Sequence, residues 1–177
     1  MKVNLEDFRS IKMLIDQEKN IAIFPVSKTK EPVKDPIVDE YNYMYYPAFF
    51  PIELKYPYSN VELAEKIKYG IEQWNIHECY PEHSGKNTYE EKYYGVKGFK
   101  KAIQGKLLIW LGWDDIGGKR VSLSAPAKRG YAYYGLTDTR LPDDADWIDF
   151  ANVVIDYINM DLKQLSSFKT YRSYLNM

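Results

Sequence analysis

Both histidines of the chain and its single cysteine fall within one short stretch: His77, Glu78, Cys79, Glu82 and His83. A thiolate and two imidazoles bind zinc, and a carboxylate completes a tetrahedral set. The spacing argues against such a site, because Pro81 prevents the regular helix that would align these donors and the intervals match no common finger. The same residues read as a Cys-His nucleophilic pair meet a related objection, since such partners meet through the fold and not through adjacency in sequence. A polar loop leaving a helix is the simpler reading. Gly85-Lys86, Gly105-Lys106 and Gly118-Lys119 each lack the upstream glycine and the following Ser or Thr of a phosphate-binding loop. No dinucleotide fingerprint or nucleophile elbow occurs. Asp114 and Asp115 are adjacent, so on extended backbone they point to opposite faces, and with Gly117-Gly118 they mark a turn. We therefore expect no enzymatic activity, no bound metal and no cofactor.

Charge is more informative than any motif. The 24 Lys and Arg nearly balance the 25 Asp and Glu, for a net charge of -1. The two signs are nevertheless segregated. Residues 86–130 carry ten basic side chains against four acidic ones, and residues 137–161 carry seven aspartates against Arg140 alone. Ordinary solvated faces of one domain account for such blocks, but an acidic face is also suited to a basic partner, because complementary charge accelerates encounter and excludes wrong partners. The basic block interleaves Tyr89, Tyr93, Tyr94, Phe99, Trp110 and Trp113, which makes a nucleic-acid-binding module the alternative reading. We rank it second, since Trp110 lies within the apolar run LLIWLGW and reads as buried.

These residues must be positioned by a fold of 177 residues, enough for one domain. Leu5, Phe8, Ile11, Leu14 and Ile15 recur at threes and fours and predict a helix over 5–17; Ile21 to Val26 predicts a buried strand. The proline-rich stretch from Ser27 to Tyr58 argues against long regular elements, apart from an edge strand or hairpin arm through Tyr41, Tyr43 and Tyr45. Ser59 and Glu62 form a capping-box signature that starts a helix reaching to about Asn75. Strands are predicted over 93–99, 106–113, 119–124 and 130–136, joined as an antiparallel meander because their connectors are too short for a crossover helix. Asp143, Asp144 and Asp146 then precede a helix over 145–160, where acids oppose the positive end of the helix dipole. The closing residues, with Lys163, Lys169 and Arg172, are expected to be a tail or short helix. The outcome is a single α+β domain with a mainly antiparallel central sheet flanked by about three helices. Its expected core includes Phe8, Ile11, Ile23, Phe24, Leu63, Ile67, Ile71, Leu108, Trp110, Val121, Ile148, Val154 and Ile158.

One cysteine excludes an intramolecular disulfide and fits a reducing compartment. No apolar run approaches the roughly 18 residues that span a bilayer, and Glu6, Asp7 and Arg9 interrupt any secretory core at the start, so the cytoplasm is expected. The 17 Tyr, 7 Phe and 4 Trp make 16% of the chain, a composition that suits a recognition surface as well as a tyrosine-rich core.

The stretch WLGWDDIGGKRVSLSAPAKRGYAYYGLTDTRLPDDADWIDFANVVIDYI, with an apolar strand, a turn, a second strand, a run into Arg-Gly-Tyr and an acid-capped final helix, resembles immunity proteins of bacterial contact-dependent growth inhibition systems. The likeness is one of layout over the last third of the chain and transfers no functional residue. It implies a non-enzymatic cytoplasmic protein that binds and neutralises the C-terminal toxin domain of a cognate effector, usually a nuclease, with no membrane or direct nucleic-acid partner. A nuclease cleft is basic because it holds phosphates, so an acidic, aromatic-bearing surface would mimic its substrate. On that reading Asp138, Asp143, Asp144, Asp146 and Asp149, with Tyr131, Tyr133 and Tyr134 just upstream, are the candidate partner-binding residues.

Overall fold

The computed structural model describes residues 8–34, 40–79, 88–114, 118–127 and 133–161. Where the spacing predicts a helix over 5–17, the chain instead forms strand β1 (Arg9–Ile15). The reason is burial on both faces: Ile11, Met13 and Ile15 are buried on one side and Leu14 on the other. A central strand of this kind carries a near-continuous apolar run, and intervals of three and four arise within it without a helix. The Asp16 carboxylate closes the following turn by accepting from the backbone N–H groups of Glu18 and Asn20, each at 2.9 Å. β2 (Ile21–Lys28) then returns antiparallel to β1, with Met13 opposite Ile23.

The proline-rich stretch behaves as its composition dictates. β3 (Val33–Lys34) and β4 (Tyr41–Asn42) form a two-stranded ribbon. β5 (Tyr45–Pro47) pairs with the end of β2, and β6 (Ile52–Leu54) pairs with its start, so the outer edge of β2 is covered in two pieces. Pro47 and Pro51 flank the gap between them, where a continuous ladder would need N–H groups that proline lacks.

Helix α1 (Asn60–Glu72) starts at the Ser59–Glu62 capping box, with both reciprocal bonds formed. Its buried stripe is Leu63, Ala64, Ile67, Gly70 and Ile71. Gly70 sets how closely the helix approaches the sheet: a Cβ there would stand 3.0 Å from the Ile23 Cγ2 methyl and 3.4 Å from that of Ile11.

A strand is predicted over 93–99, and the structure corrects this to two short helices, α2 (Tyr89–Tyr94) and α3 (Phe99–Ile103). Thr88 and Glu91 form a second capping box, and Gly95 ends α2 in the left-handed region at φ 62°. The aromatic and β-branched composition of 93–99 suggests a strand, but the cap and the glycine decide the local conformation.

β7 (Leu107–Asp114), β8 (Gly118–Pro126) and β9 (Tyr133–Arg140) form the expected meander, although its last strand begins later and runs further than the predicted 130–136. Residues 128–132 lie outside the described residues. β9 carries a register shift opposite Leu123 and Ser124. β7 also pairs with β1, giving the sheet order β5-β2-β1-β7-β8-β9, every pairing antiparallel. Helix α4 (Trp147–Asn159) closes the described chain.

The fold is therefore α+β, with four helices among the described residues where about three are expected. α1 and α4 lie on one face of the sheet and bury Ile11, Ile23, Leu111, Val121, Phe150 and Val154 against it. The opposite face buries Leu14, Ala22, Phe24 and Leu108 against Tyr89 of α2. Of the expected core, Phe8, Trp110, Ile148 and Ile158 are only half-buried: Phe8 and Trp110 stack on one another at 6.0 Å, and Ile148 and Ile158 rim the α4 interface. Among the described residues no helix is long and apolar enough to cross a membrane.

Candidate partner-binding surface

The acidic segment begins where β9 ends. Leu141 N–H donates to the Lys119 carbonyl at 2.9 Å, and the chain then turns through Pro142–Ala145, with Ala145 N–H donating to the Pro142 carbonyl at 3.1 Å. Lys119 fixes this turn from β8: its ammonium donates to the carbonyls of Asp143 at 2.6 Å and Ala145 at 2.7 Å. Asp146 caps α4, its carboxylate accepting from Ile148 N–H at 2.8 Å and Asp149 N–H at 3.1 Å, while the Asp149 carboxylate accepts from Asp146 N–H at 2.9 Å. All four aspartates, 143, 144, 146 and 149, remain exposed. The helix-start signature thus has two effects: it starts α4 and it presents negative charge on a backbone tied down by these bonds.

The other predicted contact residues are distributed along β9. Asp138 stands opposite Ser122 and accepts from its hydroxyl at 2.5 Å. Thr139, one position on, reaches the Tyr157 hydroxyl of α4 at 2.6 Å, so Asp138 projects from the sheet face away from α4. Tyr134 is 50% exposed, and Tyr133 packs edge-on against Phe99 at 6.1 Å. Both sit at the far end of an eight-residue strand, about 20–23 Å along it from Arg140 at the strand rise of about 3.3 Å. The structure therefore brings Asp143, Asp144, Asp146 and Asp149 together but does not place the tyrosines beside them; Tyr131 lies outside the described residues. Sequence reading missed Lys119, which it counts as one member of a basic block, and Trp147, which stacks on Phe150 at 5.9 Å next to the aspartates.

The basic block does not form one surface. Lys119 serves the acidic turn, Arg120 lies over the Trp110 ring at 5.0 Å, and Lys106 over Tyr94 at 4.0 Å. Burial lowers the Lys106 pKa, against an opposing effect of Asp16. Lys92, Lys97, Lys100 and Lys101 are exposed around α2 and α3. Lys86, Lys128 and Arg129 are outside the described residues.

His77 and Cys79 are engaged separately. The His77 ring stacks on Phe50 at 3.8 Å and its Nε2 meets the Gln73 Oε1 at 2.9 Å. The Cys79 thiol donates to the Ser27 carbonyl at 3.0 Å, and burial pushes its pKa up. Among the described residues no group of three or more His, Cys, Asp or Glu side chains is placed to hold a metal ion; Glu82 and His83 lie outside them.

One buried acid belongs to the opposite face. Glu90, in the first turn of α2, is 2% exposed, and its Oε2 has no hydrogen-bond partner among the described residues. Burial raises its pKa, with smaller opposing effects from its own backbone N–H, from Thr88 and Tyr89, and from Lys12.

No family model matches the chain, and no curated protein does. Among solved structures, a protein of unknown function from Neisseria meningitidis, NMB0488, is similar to it, with a TM-score of 0.52 at 13% identity over 86% of this chain and 94% of that one. At that identity the likeness shows the fold alone.

Proposed function

We propose that this chain is an immunity-type inhibitor, acting in the cytoplasm by binding the C-terminal toxin domain of a contact-dependent effector and covering its basic, phosphate-holding surface. The observation that carries this reading is the exposed set Asp143, Asp144, Asp146 and Asp149, held by a lysine clamp and a capping box. A fixed array of negative charge meets a cationic cleft without the loss of freedom that ordering a loop would entail. Inhibition of this kind requires no bond-breaking by the inhibitor. The direct test is to express the toxic C-terminal domain encoded by the reading frame preceding this one, with and without this chain. Survival only in its presence, with the two products co-purifying, supports the reading; equal killing with and without it refutes it. Charge reversal at Asp143 and Asp144 should slow association on the order of tenfold at low salt.

A second reading is favoured by the exposed lysines 92, 97, 100 and 101 around the two short helices. They would contact phosphates of a single-stranded nucleic acid, and log affinity for generic RNA would fall linearly with log salt.

A further inference from the structure

α1 and α4 pack with their chains running in opposite directions: Asn60 at the start of α1 bonds Asn152 in mid-α4, while the middle of α1 lies beside the first turn of α4. There the two helices leave a groove lined by Val61, Ala64, Glu65, Lys68, Trp147 and Ile148, together with the capping Asp146, with a volume of about 180 Å³. An apolar space of roughly 150 Å³ accommodates a benzene ring, so this one is large enough for a single aliphatic or aromatic side chain. Val61 is 57% exposed, whereas Leu63, Ala64, Ile67 and Ile71 lie on the buried stripe of the same helix. Its Trp147 wall is fixed in advance by Phe150 at 5.9 Å and Trp113 at 6.0 Å.

The rim decides the occupant. Asp146 and Glu65 stand on the groove, Asp143, Asp144 and Asp149 continue the negative charge beside it, and the lining cation Lys68 lies 3.8 Å from Glu72. Phosphate-bearing ligands are repelled here, and a second copy docking by this patch would bring like charge against like charge. We infer that the groove between α1 and α4 anchors the partner by receiving one apolar side chain from a protein segment in which lysine or arginine flanks it. This deepens the inhibitor reading and rests on it for the identity of the partner, but its chemistry is testable without the toxin.

The probes are three synthetic peptides: alternating arginine and serine with one central leucine, the same peptide with serine replacing the leucine, and the leucine peptide with glutamate replacing arginine. Each is titrated into the full chain while the Val61 methyl and Trp147 indole N–H resonances are followed by NMR. The leucine peptide should shift both resonances and bind about tenfold tighter than the leucine-free one, the gain expected for burying part of one apolar side chain. Val61→Ser should remove that tenfold gain and leave the leucine-free peptide unaffected. Asp143→Asn with Asp144→Asn should weaken both arginine peptides and flatten their salt dependence, and the glutamate peptide should not bind. The inference is overturned if the leucine adds nothing, if Val61→Ser weakens both arginine peptides equally, or if the glutamate peptide binds as well. If the peptides fail while cells are still protected, the groove is wrong and the inhibitor reading stands. If the peptides behave as expected and cells die, the inhibitor reading is wrong and the groove stands.

Discussion

Helices α1 and α4, thirteen residues each and both started by a capping box, cover one face of the sheet; α2 and α3, six and five residues, cover the other. The first face packs aliphatic strand residues against two long apolar stripes and adds one buried polar tie, the Tyr157 hydroxyl, which donates to the Val121 carbonyl at 3.1 Å and meets Thr139. The second face has a smaller cluster, places the buried Glu90 beside it, and leaves aromatics such as Trp110 half-covered. Long, well-packed helices carry most of a domain's stability, and short ones open first. The acidic turn is fastened to the first face, so the proposed contact residues are held by the side of the molecule with the larger packed cluster.

Truncations in the two clusters probe this difference most strongly. Ile67→Ala, fully buried between α1 and the sheet, should cost about 3–5 kcal/mol, whereas Leu108→Ala, at 9% exposure under a short helix, should cost nearer 2 kcal/mol because its surroundings collapse more easily. Urea midpoints measure both, and equal losses would erase the distinction between the faces. Next in size are the polar ties of the first face. Tyr157→Phe and Lys119→Met should each cost about 1–2 kcal/mol. Only Lys119→Met should also weaken partner binding, because it frees the Asp143–Ala145 turn, and a binding isotherm beside the urea curve separates the two effects.

Smaller effects sharpen the contrast. Ser59→Ala and Thr88→Ala each remove a cap worth about 1 kcal/mol. Hydrogen exchange should show the first as a uniform loss of protection and the second as local opening of α2, since a six-residue helix has little else to hold it. Glu90 makes the second face responsive to pH. Its folded pKa lies above that of the unfolded chain, chiefly through burial, so its favourable contribution is complete below the unfolded glutamate pKa and is lost as pH rises through the folded value. Glu90→Gln should therefore be the more stable protein at neutral pH, with the advantage shrinking as pH falls from the raised folded pKa of Glu90 to the ordinary glutamate value. An advantage that does not change with pH would contradict the assignment.

The parts of the fold legible in the sequence were those with local chemistry. Ser59 and Glu62 mark α1, the prolines between 32 and 57 mark the broken edge of β2, and the apolar run at 107–113 marks β7. β1 is not legible as a strand because one buried on both sides has no alternation to reveal it. α2 carries Thr88 and Glu91, the same kind of signal that locates α1, but the β-favouring tyrosines at 93 and 94 directly after it make the segment read as a strand. At the candidate site, the cluster from Asp143 to Asp149 was legible because acids at a helix start are a local pattern. The role of Lys119 was not, because it depends on β8 lying beside the turn. Nor was the separation of Tyr133 and Tyr134 from those acids, which follows from the length of β9.

The central claim, that the chain acts by occupying a basic surface of another protein, is tested most directly by titrating it into the purified toxin domain encoded upstream and following that domain's own activity. The account predicts that activity falls linearly to zero at one equivalent and that Asp143→Lys with Asp144→Lys delays the loss at low salt. Full toxin activity in the presence of excess chain would contradict it.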